Sequence, residues 1–224
     1  MNTPLINRLV LATILLLSSQ ILTPPIAAEN KLIVGNFSAG GLDNWESKSF
    51  KGFTEYRLVQ LSGIQVLKAE SANTASGLIK KQRIDLQETP YMNWRWRIEN
   101  RLSAALDEQS KSGDDYAARV YVVISGGWAF WRTRAINYVW ASSSPAGKSW
   151  PNAFAGDHAI MIAVRSANDK TGTWYSEKRN IVNDFKQYID ASIRYIDAVA
   201  LMTDTDNANG HVTAYYGDIY FTKD

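Results

Sequence analysis

Short segments in which apolar and polar residues alternate run through almost the whole chain from Lys31 onward. A period of two residues places successive side chains on opposite faces, which is the pattern of a β-strand with one face in a core. Breaks rich in Gly, Asn, Asp and Ser separate the segments. The pattern is found in KLIVGNF, EYRLVQL, IQVLKAE, SGLIKKQRI, YMNWRWRIE, ARVYVVIS, AINYVWAS, HAIMIAVRS, IDAVALMTD and TAYYGDIYF.

These segments predict an all-β, mainly antiparallel domain, a β-sandwich or jelly roll of about ten strands. Two segments interrupt the series. The stretch NRLSAALDEQSKSG is a polar excursion with room for a helical turn, and NIVNDFKQYID has apolar residues at helical spacing, so we expect one or two short helices. No repeat or linker divides the chain. We therefore predict a single β-sandwich domain over residues 29–224.

Residues 1–28 have a different character. Arg8 is their only charged residue, an uncharged and mainly apolar run follows it, and the segment ends in PPIAA. This pattern predicts a signal peptide cleaved after Ala28, and hence an exported, periplasmic or secreted protein. A membrane anchor is the alternative, because the uncharged run nearly reaches the roughly 20 residues of a spanning helix. No later segment is apolar enough to span a membrane, so the mature chain is expected to have no transmembrane segment.

The charge and the rare residue types narrow the function. The formal net charge is only +2, and the basic residues are dispersed, so we expect no nucleic-acid partner. The chain has no cysteine, which excludes disulfides, thiolate nucleophiles and iron–sulfur clusters. It has two histidines, and neither lies in a nucleophile motif.

A charged group stands out in residues 93–124. Strand alternation sends Trp94 and Trp96 into the core. If the two strands of this stretch lie side by side or one strand apart in one sheet, a single surface of that sheet carries Arg95, Arg97, Asp115 and Arg119. We predict that this group first forms a partly buried network of ion pairs, because guanidinium groups match carboxylates closely. The guanidinium donors that remain unpaired make the same surface, on the concave face of the jelly roll, a candidate ligand site.

The strands HAIMIAVRS and IDAVALMTD are apolar on both alternations, with alanines on one of them. This predicts strands that are covered on both faces.

Two loops offer further candidates. A Gly-Gly break precedes Trp128 and Trp131, whose flat apolar rings suit stacking against sugar rings or apolar ligands. Asp204, Asp206 and Asn207 have an oxygen-rich spacing that calcium could use, although the EF-hand pattern fails at Ala208 and Asn209. A plain turn is the alternative, and we otherwise expect no cofactor. Glu177, Arg179 and Asp184 are interpreted as solvated residues around the start of a helix.

Several of these motifs occur together in one family. In their order, NWRWRIE, SGDDYAARVYVVI, NYVW, EKRNIVNDF and ALMTDTDNANGHVTAYYGDIYF resemble the bacterial family known as domain of unknown function 3047, from about Phe37 onward. The resemblance implies an exported β-rich protein without an assigned chemistry. The start VGNFSAGGLDNW is similar, through Phe37, Gly41 and Trp45, to galactose-binding-like sandwiches of carbohydrate-binding modules.

The sequence favours a non-catalytic envelope module that binds a saccharide or another polar or anionic small ligand. One alternative is a hydrolase or lyase acting on a polysaccharide, because paired carboxylates are the usual acid and base of glycosidic cleavage. The carboxylates available for that chemistry are Asp114, Asp115, Glu177, Asp204 and Asp206. A structural or assembly factor of the envelope is the other alternative. Whether the chain is an enzyme is left open, and so is its oligomeric state.

Overall fold

The computed structural model describes residues 31–129, 132–189 and 191–224. The predicted signal peptide and Trp131 lie outside these residues. The described chain forms two seven-stranded sheets packed face to face, and all strand pairs but one are antiparallel. The all-β sandwich predicted from the alternation is therefore confirmed.

The first sheet contains the seven strands β1, β3, β4, β6, β11, β13 and β14. β1 and β3 are the strands at its two ends. β14 and β13 follow one another along one edge of β6, and β11 pairs with the other edge. The bounds are β1 Leu32–Gly35, β3 Glu55–Leu61, β4 Ile64–Ala72, β6 Tyr91–Ile98, β11 Tyr175–Asn180, β13 His211–Tyr216 and β14 Ile219–Thr222.

The second sheet has the order β2-β5-β12-β7-β8-β10-β9. Only β8 and β10 run parallel, and the connection between them contains β9. The bounds are β2 Trp45–Lys51, β5 Ala75–Asp85, β7 Arg119–Ile124, β8 Arg134–Trp140, β9 Ser149–Asn152, β10 Gly156–Arg165 and β12 Tyr195–Asp204.

One α-helix, α1, is described at Ile181–Ile189, where its spacing predicted it, and a short 3-10 turn covers Phe37–Ala39. Ile181 and Phe185 are fully buried. The polar excursion after β6 forms turns and no helix. No helix within the described ranges is long and apolar enough to cross a membrane.

The number of strands exceeds the predicted ten. Gly217 and Asp218 divide the last predicted strand into β13 and β14, and the alternation missed β2, β9 and β11. β2 and β9 are the two edges of the second sheet, and β11 lies outside β6. Edge strands are often polar because a charged edge discourages pairing with other molecules. WESKSFK and YSEKRN follow that rule, so apolar alternation could not reveal them.

The main core lies between the sheets. Trp94, Trp96, Val120, Val122 and Leu201 are at most 2% exposed. The prediction that the two tryptophans point inward is therefore confirmed. Burying a large apolar side chain stabilises a fold by about 1.5–3 kcal/mol, so these side chains fix which face of each strand points outward.

The second sheet also has a covered region on its outer face. There a small cluster contains Tyr116, Val139, Trp150, Met161 and Ala163. Ala198 and Ala200 of β12 also lie on this face and are buried. The prediction that β10 and β12 are covered on both faces is confirmed here.

Candidate functional site

The predicted convergence of Arg95, Arg97 and Arg119 is wrong. β6 belongs to the first sheet and β7 to the second, so Arg95 and Arg97 lie on the outer face of one sheet, whereas Arg119 lies on the outer face of the other. Asp115 lies on the side of Arg119. Alternation correctly predicts which face of each strand these arginines occupy. It does not reveal that residues 99–118 carry the chain from one sheet to the other.

Arg119 forms a buried ion pair with Asp204. Arg119 Nη2 donates to Asp204 Oδ2 over 2.7 Å, and the two side chains are 8% and 3% exposed. Tyr116 supplies its backbone N–H to Asp204 Oδ1 and places its ring 4.6 Å from the guanidinium carbon of Arg119. Burial raises the pKa of Asp204 to about 8, Arg119 opposes that rise, and Asp115 and Asp114 add to it. For Arg119, the arrangement is the buried network of ion pairs that the sequence predicts.

Asp115 holds the turn that follows β12. Its Oδ2 accepts the backbone N–H of Asn207 over 3.0 Å and that of Ala208 over 2.5 Å. Asp206 is the next acid of the turn, and its Oδ2 lies 3.9 Å from Lys51 Nζ. Burial, followed by the charge of Asp115, raises the pKa of Asp206. Four carboxylates with two basic partners thus share one end of the outer face of the second sheet.

One oxygen from each of Asp115, Asp204 and Asp206 lies within 4.8 Å of the other two. A hard cation uses such oxygen ligands. However, Arg119 occupies one oxygen of Asp204, and the Asn207 side chain directs its amide nitrogen toward Asp115 and Asp206. Calcium binding by Asp204, Asp206 and Asn207 therefore stays a prediction, and it would require the Asn207 amide to turn over.

Residues 99–118 cover this acidic end. Glu108 is 1% exposed and accepts the backbone N–H groups of Ser142, Ser143 and Ser144. Asn152 donates to Asp114 over 3.0 Å. Nothing in the sequence around Glu108 distinguishes it from a solvated glutamate, because its partners are backbone groups more than thirty positions away.

The other end of the same outer face is open. It forms a groove of about 840 Å³ between the second sheet and the loops that follow β7 and precede β12. The floor consists of Ile79, Val123 and Ala198, which are neighbours on β5, β7 and β12. Three cations line the groove, Lys81, Arg83 and Arg194, of which Lys81 pairs with Glu46 over 2.7 Å, and Asp197 adds an acid to the lining. Tyr195 supplies an aromatic wall. This volume is within the range of ligand pockets, about 300–1,000 Å³.

The cations of the groove are arranged around Tyr195. The guanidinium carbons of Arg83 and Arg194 lie 4.1 Å and 4.9 Å from the centre of its ring. Asp85 pairs with Arg194 over 2.8 Å, and this pairing lowers the pKa of Asp85. Among the described residues, Arg83 has no carboxylate within ion-pair distance. Its donors are therefore available to a ligand in the groove.

Trp128 stands on the loop beside this groove. Ser125 and Gly127 of that loop line the groove, and the Trp128 side chain is fully exposed. The loop is tight, because a Cβ at Gly126 would lie 2.1 Å from the backbone oxygen of Ala129. Asp197 anchors the loop by accepting the Ser125 N–H over 2.8 Å. Trp128 as a ligand contact stays a prediction, now with an adjoining groove.

The interpretation of Glu177, Arg179 and Asp184 as solvated residues is wrong. Glu177 is 8% exposed at its side chain and bonds Arg165 and the Trp96 indole N–H. Asp184 is 6% exposed and accepts hydrogen bonds from Arg179 and the Tyr138 hydroxyl. Glu177 faces inward because β11 packs on the edge of β6 beside Trp96, and Asp184 faces inward from α1 toward Tyr138. Like Asp204, both carboxylates are engaged in protein contacts.

Comparison with known proteins places these features in context. A family model described as "Protein of unknown function (DUF3047)" matches residues 43–220. No curated protein matches the chain.

Among solved structures, the chain is similar to a family 30 carbohydrate-binding module of a cellulosomal cellulase from Clostridium thermocellum, with 10% identity, a TM-score of 0.45, and coverage of 86% of this chain and 96% of that one. A family 29 carbohydrate-binding module variant complexed with mannohexaose has 5% identity and a TM-score of 0.42, with coverage of 87% and 92%. The glycoside hydrolase domain of Endo-D from Streptococcus pneumoniae R6 has 12% identity and a TM-score of 0.39, with 80% of this chain covered. The chain spans 22% of the length of that Endo-D chain.

Proposed function

We propose, from the geometry of the groove, that this chain, which belongs to the family described as Protein of unknown function (DUF3047), folds into a module that binds a saccharide chain. The binding site is the groove on the outer face of the second sheet. The observation that carries this proposal is the combination of an apolar floor, the Tyr195 wall and the unpaired guanidinium of Arg83 in one open groove.

The chemistry of the groove suits a sugar polymer. Ile79, Val123, Ala198 and the ring of Tyr195 offer apolar surface to the C–H faces of sugar rings. The guanidinium of Arg83 offers several N–H donors to hydroxyl or acidic groups of the sugar. Trp128 provides a second flat surface on the adjoining loop. An open groove leaves room for a chain that extends beyond the binding site.

Replacement of Trp128 tests this proposal. Wild-type protein is titrated by calorimetry with cellohexaose, mannohexaose and an oligogalacturonate, which represent neutral and acidic chains. Trp128 is expected to extend the apolar surface beside the groove, and loss of an aromatic hot-spot contact typically costs about 2 kcal/mol, so we expect Trp128→Ala to weaken binding by at least about tenfold. Arg83→Met should weaken the acidic chain more than the neutral ones.

Phe154→Ala is the matched control. Phe154 is 61% exposed and lies between β9 and β10, away from the groove lining. It should leave every affinity within twofold of the wild type. Absence of binding to all three chains, or equal losses in the Trp128 and Phe154 variants, would contradict the groove as the site.

We also propose that the protein is exported, with residues 1–28 as its signal peptide. The single charge at Arg8, the apolar run and the small residues before Glu29 support this. Expressed with a C-terminal tag in a Gram-negative host, the protein should appear in the periplasmic fraction with Glu29 at its N-terminus. A tagged product that starts at Met1 and sediments with the membranes would show the alternative, an anchor.

A further inference from the structure

We infer that a second cleft, on the outer face of the first sheet, binds the oxyanion of a small molecule such as a sugar acid or a sugar phosphate. The cleft has a volume of about 370 Å³ and lies across β11, β6 and β14. Its lining includes Asn93, Arg95, Ser176, Lys178, Asp218 and Tyr220. It is on the opposite side of the sandwich from the groove, so this inference does not depend on the proposed function.

Arg95 is positioned across the cleft by its neighbours. A Cβ at Gly217 would lie 2.4 Å from both Cγ and Nε of Arg95, so the arginine stem occupies the space that a larger residue would need. The guanidinium carbon lies 4.9 Å from the centre of the Trp174 ring. A glycine beneath the stem and an aromatic ring beside the guanidinium thus hold a half-buried cation in one place.

The guanidinium of Arg95 lacks an acidic partner. Within the part of the chain that the structure describes, no carboxylate lies within ion-pair distance of Arg95, and its guanidinium donates no hydrogen bond. Arg97, the next outward residue of β6, instead pairs with Glu99 over 2.6 Å. Since a guanidinium carries five N–H donors, Arg95 keeps its full capacity for an oxyanion, whereas Arg97 does not.

The other residues of the cleft favour an anion as well. Lys178 and Ser176 lie opposite Asn93 and Arg95 in the register of β11 with β6, so all four side chains share the outer face. Lys178 lies over the ring of Tyr91 and, among the described residues, pairs with no carboxylate. Two acids also line the cleft: Glu177 pairs with Arg165 over 2.6 Å, and the oxygens of Asp218 accept the N–H and the hydroxyl of Ser38. Against the charge of Asp218, Arg95 and Lys178 leave the cleft with a surplus of one cation.

The ligand class follows from this chemistry. A planar guanidinium binds two oxygens of a carboxylate or phosphate at once, and a lysine adds a point charge. Ser176 and Tyr220 offer hydroxyl groups for the rest of the molecule. The volume is less than half that of the groove, which suits one small molecule better than an extended chain.

Binding of three matched sugars tests the inference. The wild-type protein, labelled with ¹⁵N, is titrated with glucuronate, glucose 6-phosphate and neutral glucose, and the Arg95 Nε–H signal is followed by NMR. We expect at least one acidic sugar to bind and to shift that signal, with glucose inert. Glucuronate alone would identify a carboxylate site, glucose 6-phosphate alone a phosphate site, and both a general oxyanion site.

Variants of Arg95 and its neighbours then show whether the acidic sugar binds in this cleft. Because the Arg95 guanidinium would supply charge-assisted hydrogen bonds to the oxyanion, Arg95→Met should weaken acidic-sugar binding about tenfold or more. Arg97→Met, on the same face, should change it less than twofold. Gly217→Ala keeps all charges but places a Cβ against the Arg95 stem, so it should weaken binding without altering net charge, and it replaces Arg95→Met if that variant does not fold.

Three results would overturn the inference. The first is that no acidic sugar binds at tens of millimolar. The second is that Arg95→Met and Arg97→Met weaken binding equally, which would indicate general charge attraction. The third is that binding survives in Arg95→Met and is lost in Arg83→Met, which would place the anion in the groove.

Discussion

Arg119 and Asp204 each have most of their surface buried, and each is the other's charged partner. Removing one member of such a pair leaves the other charge buried without compensation, which typically costs 3–5 kcal/mol. The Nε–H of Arg119 is buried without a hydrogen-bond partner, so the pair is not fully satisfied even in the intact protein. These contacts make Arg119 a structural residue of the covered end of the second sheet.

We therefore expect Arg119→Met to reduce the free energy of unfolding by about 3 kcal/mol or more at pH 9, above the pKa of about 8 of Asp204, where its carboxylate is charged, measured by urea denaturation. Arg97→Met is the control, because the Arg97–Glu99 pair is partly exposed and such pairs contribute about 0–1 kcal/mol. A loss of less than about 1 kcal/mol of unfolding free energy in Arg119→Met would show that the ion pair contributes little to stability.

At the level of single side chains, alternation predicted the inward tryptophans of β6 and the outward Arg119, because each of these follows from local geometry. It could not predict Glu108, Arg83 or Tyr195. Glu108 bonds backbone groups of residues 142–144, and Arg83 meets Tyr195 across two strands that are more than one hundred residues apart in sequence. Such contacts depend on strand pairing, which is not encoded in a local pattern.

At the level of elements, strand positions were more predictable than strand partners. β6 and β7 are consecutive among the core strands, and consecutive elements are usually neighbours. Here residues 99–118 cross from one sheet to the other instead, which separates Arg95 from Arg119. The same crossing segment covers the acidic end of the second sheet and leaves the groove open at the other end.

The loops at the open end also depend on their elements. Asp197 of β12 caps the loop after β7, and the backbone oxygen of Arg194 accepts the N–H of Leu86 at the end of β5. The groove thus arises where the ends of β5, β7 and β12 meet. The sequence predicted an aromatic loop at Trp128, but only the pairing of these three strands brings Arg83 and Tyr195 to it.

In the whole molecule, the outer face of the second sheet carries the acidic cluster at one end and the groove, with the unpaired Arg83, at the other. β12 connects them, since Ala198 lies in the groove floor and Asp204 in the acidic cluster. Six residues of extended strand separate these positions by about 20 Å. Screening by salt is strong over that distance, so the groove and the acidic cluster should behave as independent sites.

The acidic cluster should also set how the stability of the protein depends on pH. Burial raises the pKa of Asp114 and Asp206 and brings that of Asp204 to about 8, against a usual value of 3.8. A carboxyl group whose pKa is raised by folding binds its proton more tightly in the folded state. Its contribution to stability is therefore complete below about pH 4 and is lost as the pH rises through about 8.

Urea denaturation at pH 5 and pH 8 checks this expectation. The wild-type protein should lose unfolding free energy between the two values, and Asp204→Asn should lose markedly less, because the amide cannot ionise. Asp85→Asn is the control of opposite sign. The pKa of Asp85 is lowered by Arg194, so its contribution changes only at more acidic pH, and this variant should keep the wild-type slope between pH 5 and 8. If Asp204→Asn shows the same slope as the wild type, Asp204 is already ionised at pH 5, and its attraction to Arg119 outweighs the cost of burying its charge.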